Sequence, residues 1–356
     1  MIKISYLARR IKEMNIKAMF ERVKLVSKKA KKSKVTIFFD MIWCGLRYGA
    51  GYVDYDVIGF YKLTGKQRKT MLTRGINNKF VRELNDKEYW HIFNNKNEFN
   101  KTFSRFVNRD WIYPIKQSKE KAIEWIKAHE IFFAKPNNGQ CGKGIEKINT
   151  KDWEENNKLE DLYVHLLENN LELLEEPIKQ HETMNKLNPS SVNTIRMVTI
   201  MNEQKEVTIL TAFVRIGNGK CVDNFNSGGM TARVDVEKGI IKEEAVNKKG
   251  EIFLKHPTTK VMIKGFKIPN WEEAKRIVIE AAKLSENVRY IGWDVAITQE
   301  GCALVEGNHF PGHDIYQVAE KMKEGQLGIL PEFKKALQSD SWINTGVRKV
   351  RREIGI

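Results

Sequence analysis

The chain has 356 residues, 41% hydrophobic and 10% aromatic, which is enough to bury more than one core and excludes wholesale disorder. The 61 Lys and Arg outnumber the 45 Asp and Glu, giving a formal charge of +16, and the excess is local because residues 1–35 carry 12 basic side chains against two acidic ones. The four cysteines lie far apart without metal-ligand spacing, and no run of about 18 apolar residues is present to span a bilayer, so a cytoplasmic protein is expected.

Residues 2–30 place Ile4, Leu7, Ile11, Met14 and Ala18, then Met19, Val23, Val26 and Ala30, at steps of three and four, with Lys and Arg between them. This spacing predicts a basic amphipathic helix. Its stripe either packs on the rest of the chain or meets an anionic membrane surface through residues 1–34. Few aromatics interleave with the basic residues, which argues against a nucleic-acid arm.

Residues 36–112 read as helical and irregular, with no sharp period and no internal repeat. Further on, Ser118 caps a predicted helix to Ala128, and Ile131–Ala134 reads as a short strand. A glycine-rich turn leads into a second strand, Gly144–Ile148. Val192–Met201 and Val207–Ile216 read as strands, Trp271–Leu284 as a helix capped by Asn270, and Arg289–Ile297 with Cys302–Asn308 as a closing hairpin. The elements mix without strict alternation, so the predicted fold class is α+β.

Two stretches carry chemistry. The first, Lys135-Pro-Asn-Asn-Gly-Gln-Cys-Gly-Lys-Gly144, follows a strand directly. Its glycines let backbone N–H groups approach an anion, and Lys135 stands at the strand's end. Asn137 occupies the place of the first Walker A glycine, and Gly144 follows Lys143 where Ser or Thr is required, so this is not a P-loop. A plain turn is the competing reading.

The second stretch pairs Tyr290-Ile-Gly-Trp-Asp-Val-Ala-Ile297 with Ala303-Leu-Val-Glu-Gly-Asn308. Strand alternation puts Glu306 and Asn308 on one face, and a hairpin centred on Glu300 sets Asp294 opposite Glu306. Opposed carboxylates repel unless neutralised, and an oxygen-seeking divalent cation such as Mg2+ suits two carboxylates and an amide. A solvated edge hairpin is the plain alternative.

Other polar positions are less specific. Arg196 lies in an apolar strand and requires an anionic partner, from the protein or a ligand. Glu175-Glu-Pro-Ile178 ends an apolar run as a hinge or a plain loop. Asp223-Asn-Phe-Asn-Ser-Gly-Gly229 reads as a loop that closes on a substrate or lies in solvent, and His309 follows the hairpin.

In this order, these residues resemble the ATP-grasp superfamily, and within it the sugar-transfer-associated branch, over about residues 85–330. The resemblance implies two α+β lobes clamping ATP: residues 85–185 with the glycine-rich flap and 186–340 with the metal hairpin. A basic arm (1–35), a helical, irregular region (36–84) and a basic tail (341–356) complete the expected organisation. It implies Lys87 and Lys135 on ATP phosphates, with the flap residues Asn138, Gly139, Gln140, Gly142, Lys143 and Gly144. It further implies Glu175, Glu176 and Ile178 at adenine and Glu182 at ribose. Lys135 and Arg196 serve catalysis, and Asp294, Glu306 and Asn308 hold Mg2+. For the acceptor, Asn193, Arg215, Asp223, Asn224, Ser227, Gly228, Gly229 and His309 are the candidates. The implied reaction is ATP-dependent carboxylate–amine ligation through an acyl-phosphate on a cell-surface glycan or precursor. A kinase acting on a hydroxyl and a non-catalytic basic adaptor are the alternatives. Residues 1–84 do not read as the Rossmann-like domain of amino-acid ligases.

Overall fold

A computed structural model describes residues 15–138, 144–154, 159–218, 228–313, 317 and 327–341. The chain divides into two units, one of residues up to Leu84 with Ile200–Glu206 and the segment from Gly312, the other of Asn85–Thr199 and Val207–Pro311.

In the first unit, α1 (Ile16–Ala30) and α2 (Lys34–Tyr48) each start at a side-chain cap: Asn15 accepts from the Ala18 N–H and Ser33 from the Thr36 N–H. The extended backbone at Asn15 interrupts the helix predicted over 2–30, and Ile4, Leu7, Ile11 and Met14 lie outside the described residues. Met19, Val23 and Val26 pack with Ile37, Met41, Cys44, Tyr55 and Phe60, so this half of the apolar stripe is core. Two inward ion-pair groups pin the helices. Arg22 and Lys29 converge on buried Asp56 at 2.6 and 2.8 Å, and Arg68 grips Asp40 through two bonds of 2.7 Å.

The second unit holds two sheets. One has four strands in the order β1-β4-β2-β3, from β1 (Trp111–Ile112), β2 (Ile131–Lys135), β3 (Glu146–Asn149) and β4 (Leu173–Glu175). Helices α3 (Lys119–Ala128) and α4 (Leu159–Glu168) bury Ile126, Leu162 and Leu166 with Phe132, Ile148 and Leu174 of this sheet. Ser118 caps α3 by accepting from the Lys121 N–H.

The other sheet has seven strands in the order β11-β10-β5-β6-β7-β8-β9. These are β5 (Ile195–Met201), β6 (Val207–Ile216), β7 (Met230–Val234), β8 (Ala245–Asn247), β9 (Ile252–Phe253), β10 (Tyr290–Thr298) and β11 (Gly301–Asn308). Helix α5 (Trp271–Leu284) contributes Ala274, Ile277, Val278 and Ala281 to its core. Asn270 does not cap α5 through its side chain as the sequence predicts. It takes a left-handed conformation at φ 51°, and its amide donates to the Thr298 and Gly301 carbonyls, tying the helix start to the β10–β11 turn. Trp293 is fully buried among Phe93, Phe99 and Phe103, with its indole N–H on the Thr199 hydroxyl at 2.8 Å.

Candidate functional site

The hairpin places Asp294 opposite Glu306 by a route the sequence conceals. Its turn is the two residues between Thr298 and Gly301, and the ladder from there pairs Val295 with Leu304. Continued regularly, that register would set Val305 against Asp294. A bulge leaves Val305 unpaired, so Asp294 faces Glu306 and Gly292 faces Asn308.

Asp294 is buried and bound by two arginines. Arg196 on β5 donates through Nε at 2.5 Å and Nη2 at 3.0 Å, and Arg215 on β6 donates through Nη1 at 2.9 Å. Burial alone would raise its pKa, but the two guanidinium charges outweigh this and hold the carboxyl well below the usual carboxylate range. A side chain at position 292 would press on Arg196, since an added Cβ would sit 3.2 Å from Nη1; glycine leaves that room.

Glu306 stands differently. One edge is open to solvent while protein crowds it elsewhere, and the crowding governs its proton. Desolvation and the adjacent Asp294 charge push its pKa up to about 7, and it is hydrogen-bonded to Asp294. The proton therefore rests on Glu306, where the arginines leave it least compensated.

A second ion-pair group sits on the four-stranded sheet. Glu175, buried at the end of β4, accepts from Arg109 at 2.7 Å and Asn100 at 2.8 Å, and Lys135 bonds its other oxygen. Despite burial, Arg109 and Lys135 hold Glu175 well below the usual range. Lys96 links the two groups. Burial lowers its pKa, and its charged neighbours are Glu306, Lys135 and Glu175. Five cationic side chains thus accompany three carboxylates.

The structure assembles the predicted residues unevenly. It brings Lys135, Glu175, Arg196, Arg215, Asp294 and Glu306 into this network. Asn308 is on the same hairpin, its amide oxygen accepting the Phe310 N–H at 2.9 Å. Lys87 stands over the Trp90 ring, 5.9 Å from its centroid, and Lys96 has the position beside Lys135. Glu176 takes an N–H bond from Asp110, Ile178 is half-buried, and Glu182 is exposed in the first turn of Glu182–Leu187. The Asn193 amide is fully buried and donates to Gln180, Met184 and Asn188, so it organises its own loop. His309 stacks on Trp90 and bonds Asn94 through Nε2. Asn138 is exposed, Gly144 takes φ 71° against Pro136, and Gly228 takes φ 98° before buried Gly229. Gly139, Gln140, Gly142, Lys143, Asp223, Asn224 and Ser227 lie outside the described residues.

Lys96, Asn100 and Arg109 are members the sequence reading missed. The available signal was the polar break Asn108-Arg109-Asp110 between the apolar pairs Phe106-Val107 and Trp111-Ile112, with Lys96 just after the helix cap Asn95.

The donor set fits Mg2+. Glu306, Asp294 and Asn308 offer hard oxygen atoms, and the amide oxygen retains a second lone pair. Among the described residues, no group of three or more His, Cys, Asp and Glu forms a self-sufficient cage. A cation here would take the rest of its shell from water and phosphate, which is the habit of Mg2+.

Comparisons with known proteins bear on this arrangement. Residues 75–334 match the family described as sugar-transfer associated ATP-grasp. No curated protein matches the sequence. Among solved structures, similarity extends to the D-alanine–D-alanine ligase of Bacillus anthracis (14% identity, 82% of this chain and 80% of that one, TM-score 0.38). It extends also to biotin carboxylase of Campylobacter jejuni, solved as a β-γ-ATP complex (11% identity, 69% and 46%, TM-score 0.43). A third is the biotin carboxylase domain of Hydrogenobacter thermophilus 2-oxoglutarate carboxylase, solved with MgADP and bicarbonate (13% identity, 68% and 48%, TM-score 0.38). The chain spans about half the length of these two carboxylase chains. The family match covers well over half of the present sequence and includes every member of the ion-pair network. By that match the chain belongs to the sugar-transfer associated ATP-grasp family and has the α+β ATP-grasp fold.

Proposed function

We propose that this chain is an ATP-dependent carboxylate–amine ligase that modifies a cell-surface polysaccharide or its precursor with an amino acid or amine, acting at the cytoplasmic side. The observation that carries the reading is the two carboxylate-centred clusters joined through Lys96, with cations in excess. Such a surplus suits a polyanion such as the ATP triphosphate.

In this reading Glu306, Asp294 and Asn308 would hold Mg2+, which when bound would supply neutralisation of the triphosphate's charge. Lys135 and Lys96 face the phosphates, and Arg196 and Arg215 spread the charge that builds as the γ-phosphoryl leaves. A substrate carboxylate takes that group to form an acyl-phosphate and ADP; an amine then displaces phosphate to give the amide. An acyl-phosphate hydrolyses when wet, so the reaction requires the site to be closed to water during turnover.

The test is ATP consumption with Mg2+, pooled amino acids and uronic-acid or amino-sugar glycans, with products read by mass. A ligase releases ADP and free phosphate with an amide product; phosphate retained on the product makes the enzyme a kinase and overturns the reading. Acidity adds a second check. The proton on Glu306 competes with a cation, so Mg2+ affinity in the presence of a non-hydrolysable ATP analogue is expected to weaken by about tenfold per pH unit below 7. Titration calorimetry with a flat profile between pH 5 and 8 would remove the raised carboxyl of Glu306 from this account.

A further inference from the structure

Helix α2 carries two apolar faces, and among the described residues one enters the core while the other is exposed. Ile37, Met41 and Cys44 enter the core of the first unit. On the other side Val35, Phe39, Trp43 and Leu46, spaced four, four and three apart, are 65%, 66%, 57% and 42% exposed. The face continues onto α1, where Phe20, 54% exposed, stacks on Phe38 at 5.5 Å, and Phe38 meets Phe39 edge-on at 5.5 Å. Single exposed apolar residues are ordinary, but a contiguous aromatic patch across two helices marks a binding surface.

The surrounding charge says what covers it. Residues 15–48 hold nine Lys and Arg against two acids, Glu21 and Asp40, and Asp40 is taken by Arg68. Lys17, Lys24, Lys28, Lys34 and Arg47 are all exposed. A second copy would bring two basic rims together, and like charges oppose that. Phe and Trp rimmed by Lys and Arg are the composition of helices that lie in an anionic lipid interface. No described helix is long and apolar enough to cross a membrane.

We propose that the outer face of α2, extended by Phe20, docks on an anionic bilayer, with the aromatic side chains in the headgroup boundary and the basic rim against lipid phosphates. The surface differs from the apolar stripe the sequence pointed to, since Met19, Val23 and Val26 are core. It is independent of the nucleotide site, so failure of one leaves the other standing.

The experiment is cosedimentation of the full chain with phosphatidylcholine vesicles with and without phosphatidylglycerol. Binding to the phosphatidylglycerol vesicles, weakened by salt, is expected. Phe39→Ser with Trp43→Ser should lower the partition coefficient by about tenfold or more, and Lys24→Glu with Lys28→Glu by roughly ten- to a hundredfold. Both pairs are solvent-exposed, so circular dichroism and Tm should match the parent. Full-length protein left in the supernatant with phosphatidylglycerol vesicles overturns the proposal, as does parental binding by the Phe39/Trp43 variant. A dimer in light scattering that this variant converts to monomer, without vesicle binding, assigns the face to a second copy and overturns it too.

Discussion

Glu306→Gln is expected to lower Mg2+-dependent ATP turnover by about 10²–10³-fold while leaving the protein folded and, above pH 7, more heat-stable than the parent. The reasoning runs through one proton. The folded-state pKa of Glu306 is raised to about 7 from the usual 4.5, first by desolvation and then by Asp294. A raised carboxyl contributes stability that is fully present below pH 4.5 and lost as pH rises through 7. Glutamine removes that loss, so variant and parent should melt alike at pH 5 and separate at pH 8 without Mg2+. Asp294→Ala behaves oppositely. The two guanidiniums on Asp294 set its cost, because its removal takes the shared carboxylate from Arg196 and Arg215 and should cost about 3–5 kcal/mol. Thermal melts and turnover of both variants check this together. Parental turnover in Glu306→Gln would remove the cation-binding role, and an unchanged melt in Asp294→Ala would remove the ion-pair role.

Glu175→Ala should be destabilising by about 3–5 kcal/mol in urea unfolding at pH 7, since it leaves buried Arg109 without its carboxylate and frees Lys135. Its acid dependence carries the opposite sign to that of Glu306. The folded-state pKa of Glu175 is depressed by Arg109 and Lys135, so its contribution is present above the unfolded value of about 4.5 and fades as pH falls below it. The gap between parent and Glu175→Gln should accordingly narrow from pH 5 downward. A gap that widens in acid would contradict the ion-pair account. Arg109→Met combined with Glu175→Met should recover part of the loss, because it leaves no buried guanidinium without its carboxylate.

Much of the second unit was legible because local signals agree with tertiary ones. Ser118 starts its helix, the apolar run at Ile131 is a strand, and Trp271–Leu284 is a helix, since capping chemistry and periodicity act over a few residues. The Asp294–Glu306 pair was legible for a reason only half correct: symmetry about Glu300 ignores the two-residue turn, and the bulge at Val305 restores the pairing. Lys96 and Arg109 were legible only as polar residues beside a helix cap and between apolar pairs, not as members of a site. Their roles depend on which strand ends meet, and nothing local to an isolated Lys or Arg encodes a distant carboxylate such as Glu175 or Glu306. Of the two readings the arm's spacing allowed, Met19, Val23 and Val26 follow the packed one. Periodicity finds an apolar stripe, but cannot say that α2 offers a partner for it and presents a second one outward.

The unpaired valine has a consequence for comparing relatives of this chain. Removing Val305 would leave Leu304 opposite Val295 and bring the same glutamate opposite Asp294 through an unbroken ladder. Separation along the chain therefore does not by itself fix which residues face each other here. Gene sequences with one codon fewer between the two acids would encode the same constellation, and an alignment that forbids a gap inside the hairpin would wrongly score them as lacking it.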